Sequence, residues 1–122
     1  MPLINLNHAE TFVEGLDHPE GVALGPDGMI YAGGEGGQVY RIDIESRQVE
    51  TYADTGGLNL GLALDAAGNV YMCTPGQGAV YKVTPAGEVS QLSTGTDERQ
   101  MITPNHPAFD AQGYLYVTDS GS

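Results

Sequence analysis

With 122 residues and a formal charge of −12, the chain is long enough for one domain with a core and too short for two. Sixteen acidic residues against four basic ones create a field that repels phosphate backbones and anionic headgroups, so neither nucleic acid nor a membrane surface is an expected partner. Eighteen glycines, about twice the usual share, and the lack of any sustained 3.6-residue period exclude a helical protein and predict an all-β fold of short strands and tight turns.

The N-terminus, MPLINLNHAE, has neither a basic leader nor an apolar one, and no run approaches the roughly 20 apolar residues of a membrane span. The expected location is cytoplasmic. Cys73 is the only cysteine, so no intramolecular disulfide can form, and a buried structural role at a strand end is expected of it.

The first predicted element is AETFVEG, residues 9–15, a short alternating strand with Phe12 as its buried position. It is similar to QVETYADTG and EVSQLSTG, which close later repeats, so it reads as an outer strand without its own first three. HPEGVALGPDGMIYAG follows, from His18 to Gly33, as strand, tight turn, strand. Pro26 presets a turn φ, and Gly28 takes positive φ at no steric cost.

The pattern returns as LGLALDAAGNVYMC from Leu60 to Cys73 and as NHPAFDAQGYLYVT from Asn105 to Thr118. The turn glycines Gly28, Gly68 and Gly113 stand 40 and 45 residues apart. The first repeat predicts strands at Glu20–Leu24, Met29–Ala32, Gln38–Ile42 and Gln48–Tyr52. The second predicts Leu60–Leu64, Asn69–Cys73, Ala79–Val83 and Glu88–Leu92. Tyr31, Tyr40, Tyr71, Tyr81 and Tyr116 recur at matching positions and read as packing between units.

Four-stranded antiparallel meanders at this period predict β-propeller blades, each needing neighbours to cover its faces. The chain divides into an opening outer strand 9–15, a blade 16–56, a blade 57–95 and a half blade 104–122, so residues 1–122 make a partial β-propeller, an incomplete ring of about two and a half blades. Two copies would lack a counterpart of Gln38–Ile42 at each junction, which leaves unpaired blade edges open to self-association. The chain therefore reads as part of a longer ring.

Meander geometry gathers the loops leading into each first strand (Leu16–Glu20, Gly56–Leu60, Gly95–Asn105) on one face, the upper mouth. The loops between second and third strands (Gly33–Gly37, Thr74–Gly78, Asp119 onward) join them there, while GPDG, DAAG and DAQG lie below. Eight residues ahead of the turn glycines stand Glu20, Leu60 and Asn105. Hard cations take several oxygen ligands, and one oxygen side chain per blade at the mouth would build such a cage. A strand-start carboxylate bonded to N–H groups of the next blade is an equal reading of Glu20.

HPEGVALGPDGMIY and TPNHPAFDAQGYLYVTDSG resemble the calcium-dependent propellers that include gluconolactonase, regucalcin (the senescence marker protein), the paraoxonase lactonases and, more remotely, strictosidine synthase. The resemblance implies that Glu20, in Pro19-Glu20-Gly21, is a metal ligand and that Asn105 is a metal ligand or a substrate contact. It implies Ca²⁺ or another divalent cation as cofactor. The implied function is the N-terminal part of a metal-dependent, lactonase- or esterase-like hydrolase, whose small cyclic ester is polarised by the metal.

Leu60 offers no ligand in the second blade, which the family permits. Thr103 stands two residues before Asn105, where the sugar-lactone branch has arginine, so a gluconate-type substrate is not implied. The other candidate substrate contacts are His106, Arg99 in the GTDERQMITP loop and Asp119. Packing beside Pro107, solvent exposure and a turn-forming role are their respective structural readings. His18 reads as a loop residue, and no residue is assigned as catalytic. The alternative function is a non-catalytic propeller scaffold that binds a protein or small ligand. Lyase chemistry, as in streptogramin-cleaving propellers, fits the repeats but not the Glu20 motif.

Overall fold

The computed structural model describes residues 4–122. β1 (Val22–Leu24), β2 (Ile30–Gly33), β3 (Gln38–Ile42) and β4 (Val49–Asp54) form one four-stranded antiparallel sheet in that order. β5 (Leu62–Leu64), β6 (Val70–Thr74), β7 (Ala79–Val83) and β8 (Val89–Ser93) form a second, and β9 (Pro104–Phe109) pairs with β10 (Leu115–Asp119) as a hairpin. The architecture is all-β and propeller-like, and the ring is not closed. Among the described residues no helix is long and apolar enough to cross a membrane.

The turns form as their residues dictate. Gly28, Gly68 and Gly113 take φ of +81°, +85° and +90°, the left-handed region where a side chain would be strained. At the second turn, Asp65 Oδ1 accepts the N–H groups of Ala67 and Asn69, and Oδ2 accepts the Tyr71 hydroxyl at 2.7 Å. Asp110 repeats this with Gln112, Tyr114 and Tyr116. In the first turn the carboxylate sits two positions later, at Asp27, yet still takes the Tyr31 hydroxyl at 2.7 Å. One tyrosine per repeat is thus anchored by a turn aspartate.

Register defines two faces for each unit. Ala23 pairs with Tyr31, Ala63 with Tyr71 and Ala108 with Tyr116, and these pairs mark the front. Val22, Leu24 and Ile30 mark the back of the first sheet; Leu62, Leu64, Val70 and Met72 mark that of the second. The core lies where the first front meets the second back: Tyr31 and Val39 cluster with Leu62, Val70, Met72 and Val83. Each aliphatic side chain buried there contributes about 1.5–3 kcal/mol. Across the next junction Tyr71 meets Phe109 edge to face, with ring centroids 5.2 Å apart.

Three details differ from the sequence expectation. Residues 9–15 join no sheet. A strand needs a partner for its N–H and C=O groups, and among the described residues none lies beside this segment. It is held instead by Arg47, which donates to the Phe12 carbonyl and stacks 4.4 Å over the Phe12 ring, leaving Phe12 half-buried. β1 and β5 begin at Val22 and Leu62, two residues later than expected, whereas β9 begins at Pro104, ahead of Asn105. Cys73 is buried as expected, and burial pushes its thiol up to about 12, so it is unreactive at neutral pH.

Candidate functional site

The three first strands stand side by side, and glycines set their spacing at the mouth. A Cβ on Gly21 would lie 2.6 Å from the Leu60 carbonyl oxygen, and one on Gly61 would lie 2.7 Å from that of Asn105. Gly61 N–H donates to this same Asn105 oxygen at 2.8 Å. Glu20, Leu60 and Asn105 therefore head three successive blades, with Leu60 between the two oxygen donors.

Glu20 is exposed, and among the described residues no donor is bonded to its carboxylate. The reading of Glu20 as a strand-start cap is not what the structure shows. Asn105 is half-buried and its Nδ2 donates to Ser120 Oγ at 2.9 Å. That bond uses the amide nitrogen and leaves the carbonyl Oδ1 as a free acceptor.

Asp119 is used differently. Its carboxylate accepts three backbone N–H groups, from Ile102 at 2.9 Å, Thr103 at 3.0 Å and Gly121 at 2.8 Å. Led by the Thr103 N–H and followed by those of Gly121 and Ile102, these bonds hold its carboxyl below the usual range. A carboxylate whose folded value is depressed stabilises the fold fully above its unfolded value of about 3.9 and loses that contribution as pH falls through the folded value. Asp119→Asn is therefore expected to unfold more easily than wild type at pH 7 and to converge with it near pH 2, as read by thermal melts across pH. A gap that stays constant over that range contradicts the clasp.

Arg99 lies on the 94–103 loop, which is tightened by Thr96 N–H donating to the Arg99 carbonyl at 2.8 Å and Arg99 N–H to Thr96 Oγ1 at 3.0 Å. A concavity of about 240 Å³ beside it is shared with Met101 and Asp119. His106 is exposed, with its backbone N–H donating to Thr118 Oγ1 at 3.0 Å and its ring beside Gly61. The other cations sit away from the mouth: Arg41 bonds Glu50 and the Pro85 carbonyl, Arg47 bonds Glu10, and Lys82 is on β7. Among the described residues the loops at the mouth thus carry one arginine or lysine, Arg99, and the imidazole of His18, against Asp17, Glu20, Glu35, Asp97, Glu98 and Asp119. A field of this sign attracts cations.

Two features of the mouth escaped the sequence reading. His18 adopts φ +43°, and its Nδ1 lies 3.0 Å from Asp17 Oδ1 and 2.9 Å from Glu35 Oε2. The Asp17 bond, then the charge of Glu35, raises the His18 pKa. Asp17 Oδ2 also accepts from Gly36 N–H and Gln38 Nε2, so the group staples the loop before β1 to the loop after β2. The second feature is Asn59, fully buried beneath the mouth. Its Oδ1 accepts from Thr55 Oγ1 at 2.6 Å and Thr74 Oγ1 at 2.8 Å, and its Nδ2 donates to the Gln38 carbonyl at 3.0 Å. An asparagine inside the apolar run LNLGLAL was the available signal.

Comparison with known proteins agrees with this architecture. Residues 5–42 match the N-terminal region of the strictosidine synthase-like family. No curated protein matches the sequence. Among solved structures, a gluconolactonase of Xanthomonas campestris superposes with a TM-score of 0.80 at 21% identity, over 89% of this chain and 37% of that one. Virginiamycin B lyase of Staphylococcus aureus gives 0.72 at 17% identity, over 86% and 36%. Kuenenia stuttgartiensis hydrazine synthase gives 0.73 at 21% identity, over 98% and 33%. The chain thus spans about a third of each of these proteins. At such identities they show a shared propeller fold, and the expected resemblance to gluconolactonase-like and strictosidine synthase-like propellers is found.

Proposed function

We propose that the chain is part of a metal-dependent, lactonase-like hydrolase acting on a small cyclic ester, with Glu20 and Asn105 as oxygen ligands of a divalent cation such as Ca²⁺. The observation that carries this reading is the Glu20 carboxylate, which no donor among the described residues satisfies, at a mouth where carboxylates outnumber the basic groups of Arg99 and His18. The donor set fits a hard cation in kind, being a carboxylate and an amide carbonyl with no thiol. When bound, such a cation polarises an ester carbonyl and lowers the pKa of water.

The chain's own residues do the rest. Ser120 orients the Asn105 amide through its Nδ2, and Asp119 fixes the loop that bears Arg99. Arg99 and His106 are the proposed contacts for the substrate's oxygen atoms. A second reading, a non-catalytic scaffold, is favoured by ligand number, since two oxygens fall short of the six to eight or so that Ca²⁺ takes.

The test is hydrolysis of five- and six-membered lactones by the protein at its natural length, followed by pH-stat with calcium and with a chelator. Turnover is expected to vanish with the chelator and to fall at least about 100-fold in Glu20→Gln, because the loss of even an outer hydrogen-bond partner costs about 10–100-fold at metal sites. Turnover that survives both treatments contradicts the reading. Neither calcium binding nor turnover by the natural-length protein is the result expected of the scaffold.

A further inference from the structure

Asp17, His18 and Glu35 mark the one place among the described residues where three metal-ligating side chains converge, with one ligand atom of each lying within 4.8 Å of the others. His18 Nδ1 stands between two carboxylates, 3.0 Å from Asp17 Oδ1 and 2.9 Å from Glu35 Oε2. A ring nitrogen carries at most one hydrogen, so it cannot give each of these oxygens a bond of its own. A metal ion in place of that hydrogen reaches all three atoms at once. The other oxygen of Asp17 is held from outside the trio, by the Gly36 N–H at 3.0 Å and Gln38 Nε2 at 3.1 Å. Outer bonds of this kind orient a ligating carboxylate and leave its second oxygen for the ion.

We propose that Asp17 Oδ1, His18 Nδ1 and Glu35 Oε2 bind a borderline divalent cation, Zn²⁺ by their donor set, which clamps the loop before β1 to the loop after β2. One imidazole and two carboxylates suit Zn²⁺ better than Ca²⁺, which takes an all-oxygen shell. Zinc bonds of about 2.0–2.2 Å place tetrahedral ligand atoms about 3.4 Å apart, so the two contacts on Nδ1 need to open by only about 0.4–0.5 Å. With its hydrogen on Nε2, the ring presents the Nδ1 lone pair to the ion. Three protein ligands leave a fourth position to water. All three belong to the first blade, so the site is complete within residues 17–35. It uses neither Glu20 nor Asn105 and does not depend on lactonase chemistry.

Zinc titration calorimetry on the protein at its natural length, with excess calcium present to occupy the oxygen ligands Glu20 and Asn105, tests it. Wild type is compared with His18→Gln, Glu35→Gln, Glu20→Gln and His106→Gln. His18 and Glu35 are exposed, so their variants should keep the wild-type circular dichroism spectrum, and Asp17 is left in place because it accepts the bonds of Gly36 and Gln38. Wild type is expected to take up one equivalent of zinc that His18→Gln and Glu35→Gln each bind at least about 100-fold more weakly, the upper end of what losing an outer partner alone costs. Zinc should raise the Tm of wild type by more than that of either variant. Glu20→Gln and His106→Gln should bind this equivalent as wild type does. Zinc binding that is equal in wild type and in either His18→Gln or Glu35→Gln overturns the proposal and leaves the trio as an ion-paired staple. Loss of the equivalent in Glu20→Gln overturns it as well, because the ion then belongs to Glu20.

Discussion

Asn59→Ala is expected to lower the unfolding free energy by about 2–4 kcal/mol, a fall in Tm of about 10 °C. The side chain is fully buried and joins both sheets: Thr55 precedes it on the loop after β4, Thr74 ends β6, and the Gln38 carbonyl belongs to β3. Thr55 can redirect its hydroxyl to the carbonyls of Gly37 or Gly57, which lie at 3.4 and 3.3 Å. Thr74 has no such alternative among its recorded partners, so its hydroxyl is left buried without an acceptor at a cost of about 1–3 kcal/mol. A cavity adds to this. Chemical denaturation measures the loss, and a change under about 1 kcal/mol would show that the two sheets are held together without this network.

Gly61→Ala is the second large effect, and it couples stability to the mouth. The added Cβ would meet the Asn105 carbonyl oxygen at 2.7 Å and His106 Cα at 2.9 Å. Both are backbone atoms, so no side-chain rotation relieves the clash, and β5 and β9 must separate. The Gly61 to Asn105 hydrogen bond goes with them. Overpacking of this kind costs about 1–3 kcal/mol, and the hairpin should loosen before the two four-stranded sheets do. Hydrogen exchange measured by amide should show protection lost from Pro104–Asp119 first. Uniform loss across all ten strands would contradict that order.

The parts of this fold that were legible in the sequence are those set by local chemistry. Gly28, Gly68 and Gly113 fix three turns through positive φ, and the alternation around them fixes β3 and β7 to the residue. The segment 9–15 alternates just as well, yet it is not a strand, because pairing depends on a neighbour that its own residues do not specify. The site was legible as positions and not as partners. Glu20 and Asp119 are both carboxylates placed at the mouth by the repeat, and only the tertiary structure separates them: Asp119 is spent on three backbone N–H groups while Glu20 has no donor among the described residues. The Asp17, His18 and Glu35 staple depends on a left-handed His18 and on two loops meeting across sequence, which spacing does not reveal.

The central claim is that Glu20 is a metal ligand, and calcium titration calorimetry on the protein at its natural length, wild type beside Glu20→Gln, addresses it most directly. Wild type should give saturable heat as carboxylate and amide oxygens take the cation, and the Gln variant should give none. Equal isotherms for the two chains, or no binding by wild type, would contradict the assignment.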